Sequence, residues 1–396
     1  MHGATATGGG FHEVARREWR LLAGSTGLQV MHLFGPATVL LLLWLVFSQG
    51  VLRDLPIVVV DSDKSALSRQ LIELLDAAPG IRVDTTLDRL ADAEQRVRRL
   101  EAYGVVFIPE DFQHDIRRRL GVTVTGFYNA QFSSVGSTVN RDIGAAVRTL
   151  GSQFEAGQAM AGGVPRRLVG AALQPIASQG APLFNPQQSY EVFLFTAFVP
   201  TVLQLFFLLG TIWAVGSELR NRTAGEWLRS GGNSIVAALA GKLVVYFVIY
   251  TLVLLAATFG VHAWMGWGVR ESGLILVLGQ LLYVAACQGL AVLLVSVLAS
   301  LRGALSFASL LAGPAFGFAG VSLPVYTMNG FAATLHRLIP LSSYLRLYAG
   351  QAYRGADWAA AWGDLIGLGL FIAVGFGAGL PLLRRISLTP EKWGAE

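Results

Sequence analysis

Six stretches of this chain contain no Asp, Glu, Lys or Arg: Leu21–Leu52, Val192–Ser217, Leu243–Val269, Ser272–Leu301, Gly303–His336 and Leu365–Leu383. Each approaches or exceeds the roughly 20 residues that an α-helix needs to cross about 30 Å of hydrocarbon. A buried helix of a large soluble protein can imitate one such run, but hardly six. The pattern therefore points to a polytopic α-helical membrane protein with six transmembrane helices. Composition agrees: 53% of the residues are hydrophobic and 14% charged, against roughly 25% charged in soluble domains. A soluble globular enzyme is excluded. A disulfide scaffold is excluded as well, because Cys287 is the single cysteine.

The charges are not spread evenly. Between Arg53 and Arg167 there are 15 basic and 15 acidic residues, which leaves 15 basic and 10 acidic for the rest. A charge-neutral hydrophilic insert thus interrupts a basic, apolar frame. The expected order is an N-terminal segment over 1–28, spans over 29–50, 189–215, 239–264, 272–300, 303–322 and 358–383, and a tail over 384–396. Between the spans lie the insert over 51–188, a charged loop over 216–238 and an outer segment over 323–357. The first apolar run starts near Val30, with no A-x-A site after Phe47, so it reads as a retained helix and not as a cleaved signal.

Six spans put both termini on one side. With the termini inside, the inner segments hold eleven basic residues: Arg16, Arg17, Arg20, Arg220, Arg222, Arg229, Lys242, Arg302, Arg384, Arg385 and Lys392. The short outer connections hold four: Arg270, Arg337, Arg346 and Arg354. That asymmetry fits the positive-inside rule, with the long insert left out of the count. It predicts a bacterial inner (cell) membrane protein with cytoplasmic termini and an extracytoplasmic insert. It also accounts for the net charge of +5 without a nucleic-acid partner.

Within the insert, Leu55–Asp61 reads as a strand. Leu67, Leu71, Leu74 and Leu75 then mark a helix that stops at Gly80. Ile81 and Val83 begin a second strand, and Leu90, Ala93, Val97 and Leu100 a second helix. Val105–Ile108 is a third strand, Phe112, Ile116 and Leu120 mark a helix, and Val122 and Val124 a fourth strand. A long helix follows from about Ser134 to Met160, and Pro165–Tyr190 is loop-like. Strands alternating with helices predict an inserted α/β domain.

Chemistry-bearing motifs are few. No GxxxxGK[ST], HExxH or GxSxG occurs, so no catalytic site is read and the chain has no phosphate loop of its own. Asp61-Ser62-Asp63 could be a metal-binding DxD pair. The favoured reading is acids facing a helix N-terminus, and no metal site is expected. No span carries a charged residue in its central turns, which argues against an ion relay. Interhelical hydrogen bonds account for most of His32, Gln204, His262, Gln280, Gln288, Ser296, Ser306 and Ser309. The pairs Gly313/Gly317, Gly363/Gly367 and Gly375/Gly379 are expected to permit close helix contact. The stretch from Gly303 to Pro340 is too long for one crossing and is broken by Pro314, Pro324 and Pro340 and by Gly313, Gly317 and Gly320. It reads either as one span to about Gly320 followed by a half-buried re-entrant segment lining a pathway, or as a kinked helix with an amphipathic outer loop.

A polytopic chain with neither nucleotide site nor ion relay must borrow energy to do work. Two inner segments could receive it. Phe11–Leu22 is amphipathic, with Val14, Trp19 and Leu22 as its apolar residues. Gly216–Ser230 places Glu218, Arg220, Arg222, Glu226 and Arg229 around Trp227 and Leu228.

The whole chain resembles the permease subunit of an ABC exporter of the ABC-2 type, in the subgroup with a large external domain after the first span. The resemblance rests on Glu13–Arg20, IVVVDSDKSALSRQLIELLDA (Ile57–Ala77), FYNAQ (Phe127–Gln131) and LFNPQQSY (Leu183–Tyr190). It also rests on ELRNRTAGEWL (Glu218–Leu228) and the segment from Pro324 through IPLSSYLR (Ile339–Arg346). It implies a subunit that is not itself an enzyme and binds no cofactor, with ATP and Mg2+ on a separate cytoplasmic ABC ATPase. A second permease copy, as homodimer or heterodimer, is implied, and family habit adds a periplasmic adaptor; lipid surrounds the spans. Glu218, Arg220, Arg222, Glu226 and Trp227 would then form the ATPase-coupling segment. Glu13, Arg16, Arg17, Trp19 and Arg20 would form an interfacial elbow helix. The cargo would be an amphipathic compound or envelope component. The alternative is a membrane-anchored sensor or envelope-assembly factor whose α/β domain binds a ligand without transport.

Overall fold

The computed structural model describes residues 10–47, 52–118, 120–131, 133–161, 190–265, 269, 271–321, 324–389 and 391. The chain divides into a helical unit, Met1–Ser48 with Glu191–Glu396, and an inserted unit, Gln49–Tyr190.

The helical unit starts with α1 (Phe11–Gly24). Ser25 is extended and caps the next turn by accepting from the Leu28 N–H at 3.4 Å, so the chain bends there. A short α2 (Thr26–Gln29) then runs through a π-turn, Val30–Phe34, into α3 (Gly35–Phe47). Pro36 explains the π-turn: it cannot donate to the carbonyl of residue 32, and Gly35 N–H reaches back to the Val30 carbonyl instead.

The inserted unit runs β1 (Leu55–Asp61), α4 (Ala66–Asp76), β2 (Ile81–Leu87), α5 (Leu90–Arg98), β3 (Gly104–Ile108), α6 (Phe112–Arg117), β4 (Thr125–Tyr128) and α7 (Ser133–Ala161). Its sheet has the order β2-β1-β3-β4, with β1 parallel to both neighbours and β4 antiparallel to β3. Both faces of β1 are covered, which is why it reads as an unbroken apolar run. Ile57 and Val59 pack with Leu71, Leu75 and Val139, whereas Val58 and Val60 pack with Ala93 and Val105. The fourth strand lies later than Val122 and Val124 predict. Those two valines pack partly buried against the core, but the ladder begins at Thr125 and runs through Phe127.

The rest of the helical unit comprises α8 (Tyr190–Arg220), α9 (Ala224–Ser230), α10 (Ile235–Met265), α11 (Gly273–Leu298), α12 (Leu301–Ala312), α13 (Ala315–Phe318), α14 (Gly330–Arg337), α15 (Pro340–Ala349) and α16 (Trp358–Ser387). Among the described residues five helical stretches are long and apolar enough to cross a membrane: Thr26–Val46, Phe195–Arg220, Ile235–Trp264, Gly273–Leu298 and Trp358–Ser387. The sixth, expected as one helix over 303–322, is instead the 12-residue α12 and the four-residue α13. The break falls at Gly313-Pro314, where proline withholds an N–H from the helical ladder.

The pair α12–α13 runs antiparallel along α8. A Cβ on Gly216, near the end of α8, would lie 2.7 Å from Leu301. Near the start of α8, the Phe198 ring meets Phe316 edge-on at 5.6 Å. Past α13 the chain reverses at Gly320, whose φ of +83° suits glycine. Of the expected small-residue contacts, Gly375 and Gly379 do bring α16 onto α11: a Cβ on Gly375 would lie within 2.4 Å of the Gly289 carbonyl carbon. Gly367 lies under Ser343, Gly313 meets only the Ser309 carbonyl of its own helix, and Gly317 and Gly363 face open space.

Candidate functional site

The apolar stripe of α1 is Val14, Glu18 and Leu22, all buried and spaced four apart. A carboxylate in the middle of such a stripe needs partners, and α10 supplies them. Gly241 lets α1 come close, since a Cβ there would lie 2.5 Å from the Phe11 carbonyl oxygen. The next residue, Lys242, donates from Nζ to Glu18 Oε2 at 2.6 Å, and Tyr246 one turn on donates to Glu18 Oε1 at 2.8 Å.

The second carboxylate, Glu218, comes from the end of α8. Its Oε1 receives Arg17 Nη1 at 2.6 Å and Lys242 Nζ at 2.9 Å. Its Oε2 receives Arg17 Nη2 at 3.3 Å and the Thr223 hydroxyl. Two acids and two bases thus join α1, α8 and α10, with Glu18, Glu218 and Lys242 each no more than 3% exposed. Burial works against the Arg17 charge. The hydrogen bond and charge of Glu218, with Glu18 and Glu226 behind it, more than offset that and hold its pKa above the usual arginine value.

Helix α9 is tied to the same cluster. Arg222 turns the chain at φ +61°, and Thr223 N–H donates to the Glu218 carbonyl at 2.9 Å. Trp227 is fully buried, donates from Nε1 to the Ala238 carbonyl at 3.1 Å, and carries Lys242 Nζ 5.8 Å from its ring. On the other side of α9 and its turn, Arg220, Arg222, Glu226 and Arg229 are exposed. The arrangement is a short helix with a charged outer face, fastened from behind to the ends of three longer helices.

The structure thus sorts the sequence-predicted residues. Arg17, Glu218 and Trp227 meet in one cluster, while Glu13, Arg16, Trp19 and Arg20 lie exposed on α1. Trp19 does not share the packed stripe with Val14 and Leu22, since it is 56% exposed whereas Glu18 is buried. Glu18 and Lys242 are functional candidates that the pattern reading passed over. The signal for Glu18 is its place midway between Val14 and Leu22. Lys242 is the only Asp, Glu, Lys or Arg within Ile235–Met265.

The pathway candidates lie elsewhere in the helical unit. Pro314 is exposed and lines an apolar cavity of about 360 Å3 with Phe307, Phe318 and Phe331. Gly317 and Pro324 are exposed, and Pro340 is buried at the first position of α15. Gly320 lies against His336. His336 donates from Nδ1 to the Phe318 carbonyl at 2.7 Å, accepts Arg346 Nη1 at 2.8 Å on Nε2, and Arg346 also pairs with Asp364 at 2.9 Å.

The polar groups within the spans bond mainly between helices. His32 pairs with Tyr250, Gln280 with Thr258 and Tyr344, Gln204 with Tyr283, His262 with Tyr348, and Gln288 with the Leu243 carbonyl. Ser296 and Ser309 bond back to their own helices. In the inserted unit, Asp61 accepts from Asp63 N–H, Lys64 N–H and the Ser68 hydroxyl, which makes it a turn-and-cap residue. LFNPQQSY lies outside the described residues except for Tyr190.

A family model described as ABC-2 family transporter protein matches residues 27–380. No curated protein matches the chain.

Proposed function

The chain belongs to the ABC-2 family of transporter proteins, and on that premise we propose that it is the permease subunit of an ATP-driven exporter. A separate cytoplasmic ATPase supplies the work, and an amphipathic compound or envelope component is the cargo. The observation that carries this reading is the quartet of Arg17, Glu18, Glu218 and Lys242 behind α9, the last three of them buried. A partner pressing on exposed Arg222 and Glu226 moves α9. Through Glu218 and Trp227 it moves α1, α8 and α10 with it, because separating the quartet would strand buried charge at a cost of about 3–5 kcal/mol.

Six passes with both termini cytoplasmic belong to the same reading. Its support is the course of α12–α13, which begins beside Gly216 and ends beside Phe198, covering the depth of α8 in reverse. The exposed face of α12–α13, with Ser306, Pro314 and Gly317, then lines the path where a second permease copy packs. The inserted α/β unit lies outside, where an adaptor can reach it.

Co-expression with the products of its neighbouring genes tests the assignment. The expected result is a stable complex whose ATP hydrolysis responds to the permease, and which Arg222→Glu with Glu226→Lys dissociates without unfolding the membrane subunit. Failure to recruit any nucleotide-hydrolysing subunit overturns it.

A further inference from the structure

Against the four-charge quartet lies a cavity of about 660 Å3. Arg17, Lys242 and Asn221 contribute to its polar wall together with the paired carboxylates of Glu18 and Glu218, and Leu28, Met31 and Trp213 to its apolar wall. It straddles one boundary of the apolar spans, because Leu28 and Met31 belong to the start of Thr26–Val46 and Trp213 to the last turns of Phe195–Arg220.

The hydrogen-bonding balance of the polar wall selects a ligand. Each Glu218 oxygen already takes two donors, and each Glu18 oxygen takes one. Arg17 commits only two N–H groups, both to Glu218, and keeps others unbonded, and Lys242 also has a donor left after Glu18 and Glu218. Asn221 is exposed at the cavity rim with no partner for its side chain among the described residues, and exposed Arg220 and Arg222 flank it in sequence. Surplus donors with largely saturated acceptors suit an oxygen-rich anion, and guanidinium groups favour phosphate in particular. The apolar wall at the same level suits an alkyl chain.

We propose that this cavity holds the phosphate headgroup of a membrane phospholipid, its acyl chains lying against Leu28, Met31 and Trp213. The headgroup completes the bonding of Arg17 and Asn221 and fills the space between α1, the start of the first span and the end of α8. The assignment does not depend on the exporter reading. It is measured on the full chain without any ATPase, so failure of either leaves the other standing.

Native mass spectrometry of the full-length protein is the test, with phosphatidylglycerol and an uncharged diacyl glycolipid of identical chains supplied together. At least tenfold preferential retention of phosphatidylglycerol, one per chain, is expected. Leu28→Trp, which fills the apolar wall, and Asn221→Asp, which puts a carboxylate on the polar one, should each reduce it to near parity. Both lie outside the quartet, and an unchanged melting transition in detergent verifies that the fold is intact. Equal retention of the two lipids, or a preference that survives both variants, overturns the proposal. Displacement of the lipid by millimolar glycerol 3-phosphate also overturns it, since the site would then belong to a soluble phosphate ester.

Discussion

The two ends of the helical unit handle polar groups in opposite ways. At the end that carries α1, four charges are drawn together and three of them are almost wholly buried. At the end that carries α14 and α15, the ion pair Arg346–Asp364 has side-chain exposures of 47% and 13%. Neutral groups make most of the connections there: Tyr283 stacks on Tyr344 at 4.4 Å, and His262 meets the Tyr348 hydroxyl at 2.9 Å. A buried, mutually compensated charge cluster resists piecemeal opening because each partial opening leaves an unpaired charge in low dielectric. Neutral hydrogen bonds and ring contacts, at roughly 1 kcal/mol each, can be exchanged singly. One end is therefore expected to move as a block and the other to rearrange. That is the division the proposed drive from one side would require.

The strongest way to break this contrast is Lys242→Met. It removes the base shared by Glu18 and Glu218 and should cost about 3–5 kcal/mol, seen as loss of monodisperse protein or a large fall in detergent melting temperature. Adding Glu18→Gln should recover part of that loss, because Arg17 still neutralises Glu218 while the second acid is gone. If the single variant melts like the parent, the quartet is not a block. Next comes Thr223→Val, which removes a hydroxyl donor to Glu218 while keeping shape. A hydrogen bond to a charged group is worth about 1.5–3 kcal/mol. The same variant should loosen α9, read as faster amide exchange over Ala224–Ser230.

Much of this architecture was legible in the sequence, and what was not has physical causes. The apolar runs located all five long spans, because a helix in hydrocarbon needs little more than length and hydrophobicity. The strand–helix alternation of the insert was legible because each element obeys its own period. β4 was misplaced, since Val122 and Val124 alternate inward like a strand but have no ladder partner. The sixth span was overdrawn because the absence of charge says nothing about helical continuity, which Pro314 decides. At the candidate site, Glu218 and Trp227 stood out as parts of a charged loop. Glu18 and Lys242 did not, because their meaning depends on α1 docking onto α10, and a single sequence does not display such tertiary contacts.

At the other end, His336→Leu should cost about 1–2 kcal/mol. It strips the Phe318 carbonyl of its donor and Arg346 of an acceptor. Its effect should be local, accelerating exchange across α13 and α14 while the transition of the α1 end stays put. An equal loosening at both ends would mean that they are coupled and respond as one.

The smallest effect, and the sharpest comparison, belongs to Arg346→Gln. The guanidinium reaches a single Asp364 oxygen, Oδ1, through Nε and Nη2, both at 2.9 Å. Its side chain is nonetheless 47% exposed, and water screens much of the attraction, leaving about 0.2–1 kcal/mol. Salt then separates the two ends. At about 1 M ionic strength the Debye length is near 3 Å, so the difference between parent and Arg346→Gln should shrink towards zero in 1 M NaCl. Most of the Lys242→Met deficit should persist, because Glu18, Glu218 and Lys242 are almost fully buried and their attraction is screened far less than that of an exposed pair. Melting curves of both variants at low and high salt provide the measurement. A Lys242→Met deficit that salt erases would mean that the quartet is open to solvent and no firmer than the pair at the opposite end.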